Sequence, residues 1–216
     1  MKKNKIIERL MNPGLVPVIR LDSGEKLNAL LNAFLRGGIT AAELTMTIPG
    51  AVDLLQKAKT VFGDSLLLGM GTVVDKQMAE DAIAAGADFL ISPFPVPEVI
   101  QTANAGNVTM IAGAFTPYEV FQAHSMGADF VKVFPLNVCG INYLKDLKGP
   151  LPKVKFFPTG GITLEQIEKV LSLASGCGVG GALVRQDLIK AENWDALTDL
   201  ARKFVDEARK VNLSAN

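Results

Sequence analysis

Eight short apolar runs, separated by longer amphipathic stretches, narrow the folds open to this chain more than any other feature. They are residues 15–21, 40–46, 66–71, 89–92, 109–112, 130–134, 155–159 and 178–184. Each is too short for an ordinary helix, is rich in aliphatic and β-branched residues, and is bounded by Gly, Pro or Asp. That is the pattern of strands buried on both faces of a parallel sheet. The intervening stretches 25–36, 52–62, 77–85, 117–126 and 164–174 repeat apolar residues three and four positions apart, as helices with one buried face do.

Local punctuation agrees with this division. Gly37-Gly38, Gly86, Gly127 and Gly176 stand where helices need a left-handed C-terminal residue. Asp22 or Ser23, Asp75 and Thr163 are placed to cap helix starts, and Thr163 with Gln166 fits a capping box. The block Gly-Ala-Asp-Phe occurs at 86–89 and again at 127–130, which predicts the same helix-to-strand turn used twice.

Eight strand–helix units predict an α/β fold, a single (β/α)8 TIM barrel spanning 1–216, with an extra N-terminal helix over 3–11 and a last helix from Trp194 to about 212. A doubly wound open sheet fits less well, because no G-x-G-x-x-G follows the first strand. No linker or low-complexity stretch divides the chain. The 22 basic and 22 acidic residues balance to zero net charge, so no clustered basic field is available for nucleic acid. No apolar run approaches the roughly 20 residues that cross a membrane, and the basic start is not followed by the apolar core of a signal peptide. Two cysteines give no disulfide framework and suit a reducing compartment; the expectation is a cytoplasmic protein. A single histidine leaves little for a His-based zinc site or a hydrolase that needs a second His.

Inside a barrel the inward side chains of the strands pack an apolar core, and chemistry sits at their C-terminal ends. Ionisable residues within the strands are therefore the informative ones. In Phe130-Val131-Lys132-Val133-Phe134 alternation puts Lys132 on the face of the two Phe, the inward one. Burying an ammonium is costly, and the general escape is loss of the proton. A neutral amine is a nucleophile for carbonyls, which Schiff-base chemistry requires. The bland alternative is a lysine that extends to solvent or pairs with a carboxylate. Glu43 shares an inward face with Ala41, Thr45 and Thr47. It could pair with Lys132, shuttle protons, or do both. Arg20, on the face of Val18, could reach an anion or form a surface salt bridge. Thr159-Gly160-Gly161 and Gly180-Gly181 fall where barrels bind phosphate through backbone N–H groups. His124 belongs to an amphipathic stretch, and Cys139 has nothing nearby to activate it.

Taken together, Pro17-Val18-Ile19-Arg20, Glu43-Leu44-Thr45, Gly69-Met70-Gly71-Thr72-Val73, Ile91-Ser92-Pro93, Thr116-Pro117, Val131-Lys132-Val133-Phe134-Pro135 and Pro158-Thr159-Gly160-Gly161-Ile162 resemble the 2-keto-3-deoxy-6-phosphogluconate (KDPG) and 4-hydroxy-2-oxoglutarate (KHG) aldolases over nearly the whole chain. The resemblance implies a homotrimeric class I aldolase with no metal and no other cofactor, which cleaves a 2-keto-4-hydroxy acid to pyruvate and an aldehyde. It implies Lys132 as the Schiff-base lysine, Glu43 as the general acid/base, Thr72 and Pro93 lining the pyruvate end, and Phe134 packing beside the imine. Thr159, Gly160 and Gly161 would lead to a phosphate. Three departures from the family pattern stand out, of which Ala112 in place of a common Pro has no structural reading and two bear on substrate. Thr47 stands where many KDPG aldolases have an Arg for the pyruvate carboxylate, and a hydroxyl cannot replace a bidentate guanidinium. The related phosphogalactonate aldolases lack that Arg too and keep one at the place of Arg20, which makes Arg20 the candidate for the carboxylate. At Gly180-Gly181-Ala182 the family's Gly-Gly-Ser has lost its hydroxyl, leaving backbone donors alone at Ala182. A phosphosugar epimerase or isomerase, and a non-catalytic sugar-phosphate binder, are the competing readings of the same barrel.

Overall fold

A computed structural model describes residues 1–214 of the chain. Helix α1 (Lys3–Met11) leads into β1 (Leu15–Ile19), α2 (Leu27–Arg36), β2 (Ala41–Thr45), α3 (Ala51–Phe62), β3 (Leu67–Gly71) and α4 (Lys76–Ala84). Then follow β4 (Phe89–Ile91), α5 (Pro97–Ala105), β5 (Thr109–Ala114), α6 (Pro117–Ser125), β6 (Phe130–Val133), the short helices α7 (Leu136–Cys139) and α8 (Asn142–Lys148), α9 (Ile167–Leu171), β7 (Cys177–Val179), α10 (Gln186–Lys190) and α11 (Trp194–Ser214). Among the described residues seven strands form one curled parallel sheet in the order β6-β5-β4-β3-β2-β1-β7. Consecutive parallel strands require a crossover, and helices supply it.

Two of the eight expected strands differ in detail. Residues 155–159 are held by isolated bridges, Val131 to Phe156 and Thr159 to Gly178, instead of a continuous ladder. Phe157 and Thr159 donate N–H to Val131 and Val133 of β6, while Pro158 C=O accepts from Gly178 N–H at 2.9 Å. Pro158 has no N–H to return on that side, so the ladder toward β7 is incomplete. In the run 178–184 only the first residues are strand. Gly180 C=O accepts from both Leu183 and Val184 N–H, which turns the chain directly after β7. The expected caps form at Asp75, whose Oδ1 accepts from Met78 N–H, and at Thr163, whose N–H donates to Gln166 Oε1. Neither Asp22 nor Ser23 caps α2, which begins later, after Lys26.

The two Gly-Ala-Asp-Phe blocks share a physical role. Asp88 Oδ2 accepts from Leu68 N–H at 2.8 Å and from Lys59 Nζ at 2.7 Å. Asp129 Oδ2 accepts from Met110 N–H at 2.8 Å and pairs with Lys3 Nζ at 2.8 Å. Each carboxylate thus satisfies the amide of the second residue of the preceding strand and pins a helix to it.

The sheet separates two apolar layers. Its outer face and the surrounding helices form the larger cluster. Inside, Val16, Ala41, Leu67, Phe89, Ile91, Ile111, Phe130 and Phe157 form a second one, closed from below by Ile6 and Leu10 of α1. The predicted N-terminal helix is therefore a plug over the N-terminal ends of the strands, leaving the C-terminal ends as the working face.

Candidate active site

Climbing β2 and β6 from the interior apolar layer, the side chains become polar. On β2 Ala41 belongs to the apolar layer, and Glu43 and Thr45 follow on the same face; on β6 Phe130 is followed by Lys132. Glu43 is 1% and Lys132 4% exposed, so both chargeable heads lie in an environment from which water is largely removed. Neither Glu43 oxygen has a hydrogen-bond partner among the described residues. Burial pushes the Glu43 carboxyl above the ordinary carboxylate range, opposed by the positive charges of Lys132 and, more weakly, Arg20. A Cβ at Gly71 would overlap the Glu43 carboxyl group, which shows why β3 carries no side chain there.

The other expected residues lie at or beyond the C-terminal ends of the strands. Phe134 stands directly beyond β6, and Lys132 Nζ lies 5.0 Å from the centre of its ring. The backbone of Pro93 passes beside Gly113, the register partner of Lys132. Thr72, directly after β3, has φ of 60°, a strained conformation for a β-branched residue. Thr159 is buried, with its hydroxyl against Gly178. Gly160 and Gly161 follow it, and Gly180, Gly181 and Ala182 lie in the turn after β7. All these positions sit at the C-terminal ends of their strands.

Thr47 and Arg20 are both exposed, and their roles separate through the hydroxyl protons. Thr45 Oγ1 can only donate to the Ile19 carbonyl, at 3.1 Å. Its contact with Thr47 Oγ1, at 2.7 Å, must then be donated by Thr47. The single Thr47 proton is committed, and the hydroxyl offers no donor to an anion. The Arg20 guanidinium makes no hydrogen bond or ion pair among the described residues, and its field reaches Glu43. His124 lies exposed on α6, away from the interior. Burial pushes both thiols up, Cys177 to about 12, which makes neither a ready nucleophile. Among the described residues no three His, Cys, Asp or Glu side chains gather as a metal site would need, and no helix is long and apolar enough to cross a membrane.

Asn137 went unnoticed in the sequence. It lies on α7, five positions beyond Lys132, and packs against Gly160 and Gly161. Its place directly after the Lys132 strand is the signal that could have found it.

The site so defined is a buried amine and a buried carboxyl on the interior face of a parallel α/β scaffold. The chain belongs to the KDPG and KHG aldolase family, whose family model matches residues 6–200. It is 31% identical over 204 residues to the 2-dehydro-3-deoxy-phosphogluconate aldolase of Haemophilus influenzae, covering 94% of this chain and 96% of that one. With the corresponding enzyme of Dickeya dadantii it shares 33% identity over 201 residues, covering 92% and 94%. A crystal structure of the KDPG aldolase from Legionella pneumophila, with pyruvate captured at low pH as a covalent carbinolamine intermediate, superimposes with a TM-score of 0.85 at 31% identity, covering 94% and 97%. The chain is accordingly an aldolase, a carbon–carbon lyase.

Proposed function

We propose that this chain cleaves a 2-keto-4-hydroxy acid to pyruvate and an aldehyde, with Lys132 as the Schiff-base nucleophile and Glu43 as the proton shuttle. The observation that carries the reading is the pair itself: an amine and a carboxyl buried in the same interior and coupled by charge, the carboxyl without a hydrogen-bond partner among the described residues. The unprotonated Lys132 amine adds to C2 of the ketone to give a carbinolamine, and the Glu43 carboxylic acid protonates the carbinolamine hydroxyl, which leaves as water to give an iminium and the Glu43 carboxylate. The Glu43 carboxylate takes the C4 hydroxyl proton. The C3–C4 bond then breaks, with its electrons passing into the iminium to form an enamine, and the aldehyde departs. Protonation of C3 by the Glu43 carboxylic acid and hydrolysis of the imine release pyruvate and restore both residues. This sequence calls on no metal.

Arg20 holds the pyruvate carboxylate in this reading, because the Thr47 proton is spent on Thr45. Thr72, Pro93 and Phe134 enclose the pyruvate methyl and imine, and Thr159, Gly160, Gly161, Gly180, Gly181 and Ala182 border the aldehyde half. We read residues 155–159 as the eighth stave of one (β/α)8 barrel over 1–216, on the strength of their bridges to both β6 and β7. Phe115, just before α6, and Tyr118 and Phe121 on it, three positions apart and 37%, 66% and 53% exposed, supply with exposed Phe94 of an earlier loop an aromatic face suited to a symmetric trimer. The protein would act in the cytoplasm.

The test is borohydride reduction in the presence of pyruvate. A stable adduct, 72 Da heavier than the unmodified chain by the chemistry of reductive amination (~72 Da for pyruvate), is expected on Lys132 and absent in Lys132→Met. Arg20→Ala should retain the adduct but require at least about tenfold more pyruvate for half-maximal labelling. An epimerase or a sugar-phosphate binder would give no adduct at saturating pyruvate.

A further inference from the structure

Among the described residues the Arg20 guanidinium has no hydrogen-bond or ion-pair partner, so its aim depends on the backbone from which it projects. Arg20 stands directly beyond the end of β1. Two side chains from distant parts of the chain hold the peptide units on either side of it. The Ile19 carbonyl, in the peptide that leads into Arg20, accepts from buried Thr45 Oγ1 at 3.1 Å. The Arg20 carbonyl, in the peptide that leads out, accepts from Gln186 Nε2 at 3.0 Å, across 166 positions of sequence. Only φ and ψ separate those two peptide planes, so a grip on both planes fixes the backbone at Arg20.

Gln186 is itself firmly seated. It opens α10, whose Ile189 is buried, and it follows the buried pair Leu183 and Val184 closely. Lys26, at the far end of the segment that begins with Arg20, donates to the Ile189 and Lys190 carbonyls at 3.3 Å each and meets Glu192 Oε1 at 3.0 Å. The segment from Arg20 to Lys26 is thus tied to both ends of α10, by Gln186 at one and Lys26 at the other. Arg185, next to Gln186, does not compete for a substrate anion. Its Nε and Nη2 already donate to Asp187 Oδ1 and Oδ2 at 2.9 and 2.7 Å. The Gln186 bond is exposed and contributes little to folding, because water offers both groups an alternative partner. Its consequence is geometric.

A guanidinium grips a carboxylate through two parallel N–H···O bonds, and small displacements spoil that geometry. We infer that Gln186 is a positioning residue for substrate: by holding the Arg20 carbonyl it directs the free guanidinium at the keto-acid carboxylate. The inference rests on the reading of Arg20 given above and adds a residue to it. Its test is the borohydride titration with pyruvate, run on the full chain. Gln186→Met, similar in length but without a donor, should raise the pyruvate concentration for half-maximal labelling by about fivefold, with the same final extent of adduct. Gln186→Glu, which puts an acceptor where the donor was, should raise it at least as much. In an Arg20→Ala chain, where the guanidinium is gone, Gln186→Met should change that concentration by less than about 1.5-fold. A role in folding alone would carry over undiminished into the Arg20→Ala background. Either Gln186 variant labelling at the parent's pyruvate concentration, or an equal rise with and without Arg20, overturns the inference. An Arg20→Ala chain that labels like the parent overturns the reading of Arg20, and this inference with it. Absence of any adduct on Lys132 overturns the aldolase reading itself.

Discussion

Glu43 pairs full burial with two carboxylate oxygens that no group among the described residues satisfies. Such a group costs stability whenever it is charged, and the cost has a definite pH dependence. Burial raises its folded titration above the ordinary value of 4.5. The folded state therefore keeps a proton that the unfolded chain has already released. The cost is absent below the unfolded value and grows as pH rises toward the folded one. Glu43→Gln, which cannot ionise, should gain stability relative to the parent as pH is raised from 5 to 8, by about 1 kcal/mol or more, while losing cleavage activity. Urea unfolding of both proteins at the two pH values measures this; a constant difference would mean that Glu43 stays neutral or finds a partner. Lys132 and Glu43 were legible in the sequence because strand alternation alone puts a charge on an inward face. The strained Thr72 and the committed proton of Thr47 were not, since both depend on where the end of one strand meets its neighbour.

At the level of elements, the repeated Gly-Ala-Asp-Phe turn does more than reverse the chain. Asp88 and Asp129 each join a strand amide, a lysine and a helix-to-strand corner through one mostly buried carboxylate. Replacing either by Ala leaves a strand amide and an ammonium without their acceptor, and each variant should lose about 2 kcal/mol in denaturant unfolding. Asp88→Asn, which keeps an acceptor for Leu68 N–H but not the charge for Lys59, should lose less. Equal losses for Ala and Asn would assign the whole effect to the ion pair. The repeat was visible in the sequence as a turn, but its carboxylate contacts were not, because Lys3 and Asp129 are far apart along the chain. The irregular 155–159 segment was likewise legible as an apolar run, while the gap that Pro158 leaves in its ladder emerges only against a particular neighbour.

For the whole molecule, the proposed self-association puts the exposed aromatic face of α6 between subunits. Phe121→Arg introduces a charge into that face without touching the interior, since Phe121 is half exposed. The substitution should raise the subunit dissociation constant by at least about tenfold, as sedimentation across a concentration series would read, with thermal unfolding of the dissociated subunit little changed. A variant that sediments like the parent would move the contact elsewhere or remove it.

The order of apolar runs and amphipathic stretches was enough, without coordinates, to determine a parallel α/β fold and to single out two inward charges, because both follow from periods of about two and about 3.6 residues that are local to the chain. What only the tertiary structure decided is which groups remain free once folded. Arg20 is open while Arg185 and Lys26 are engaged, Thr47 has spent its proton, and Asn137 fills the space left by two glycines. Those outcomes are contests between residues distant in sequence for the same donors, acceptors and volume, and such contests are settled only when the chain has closed.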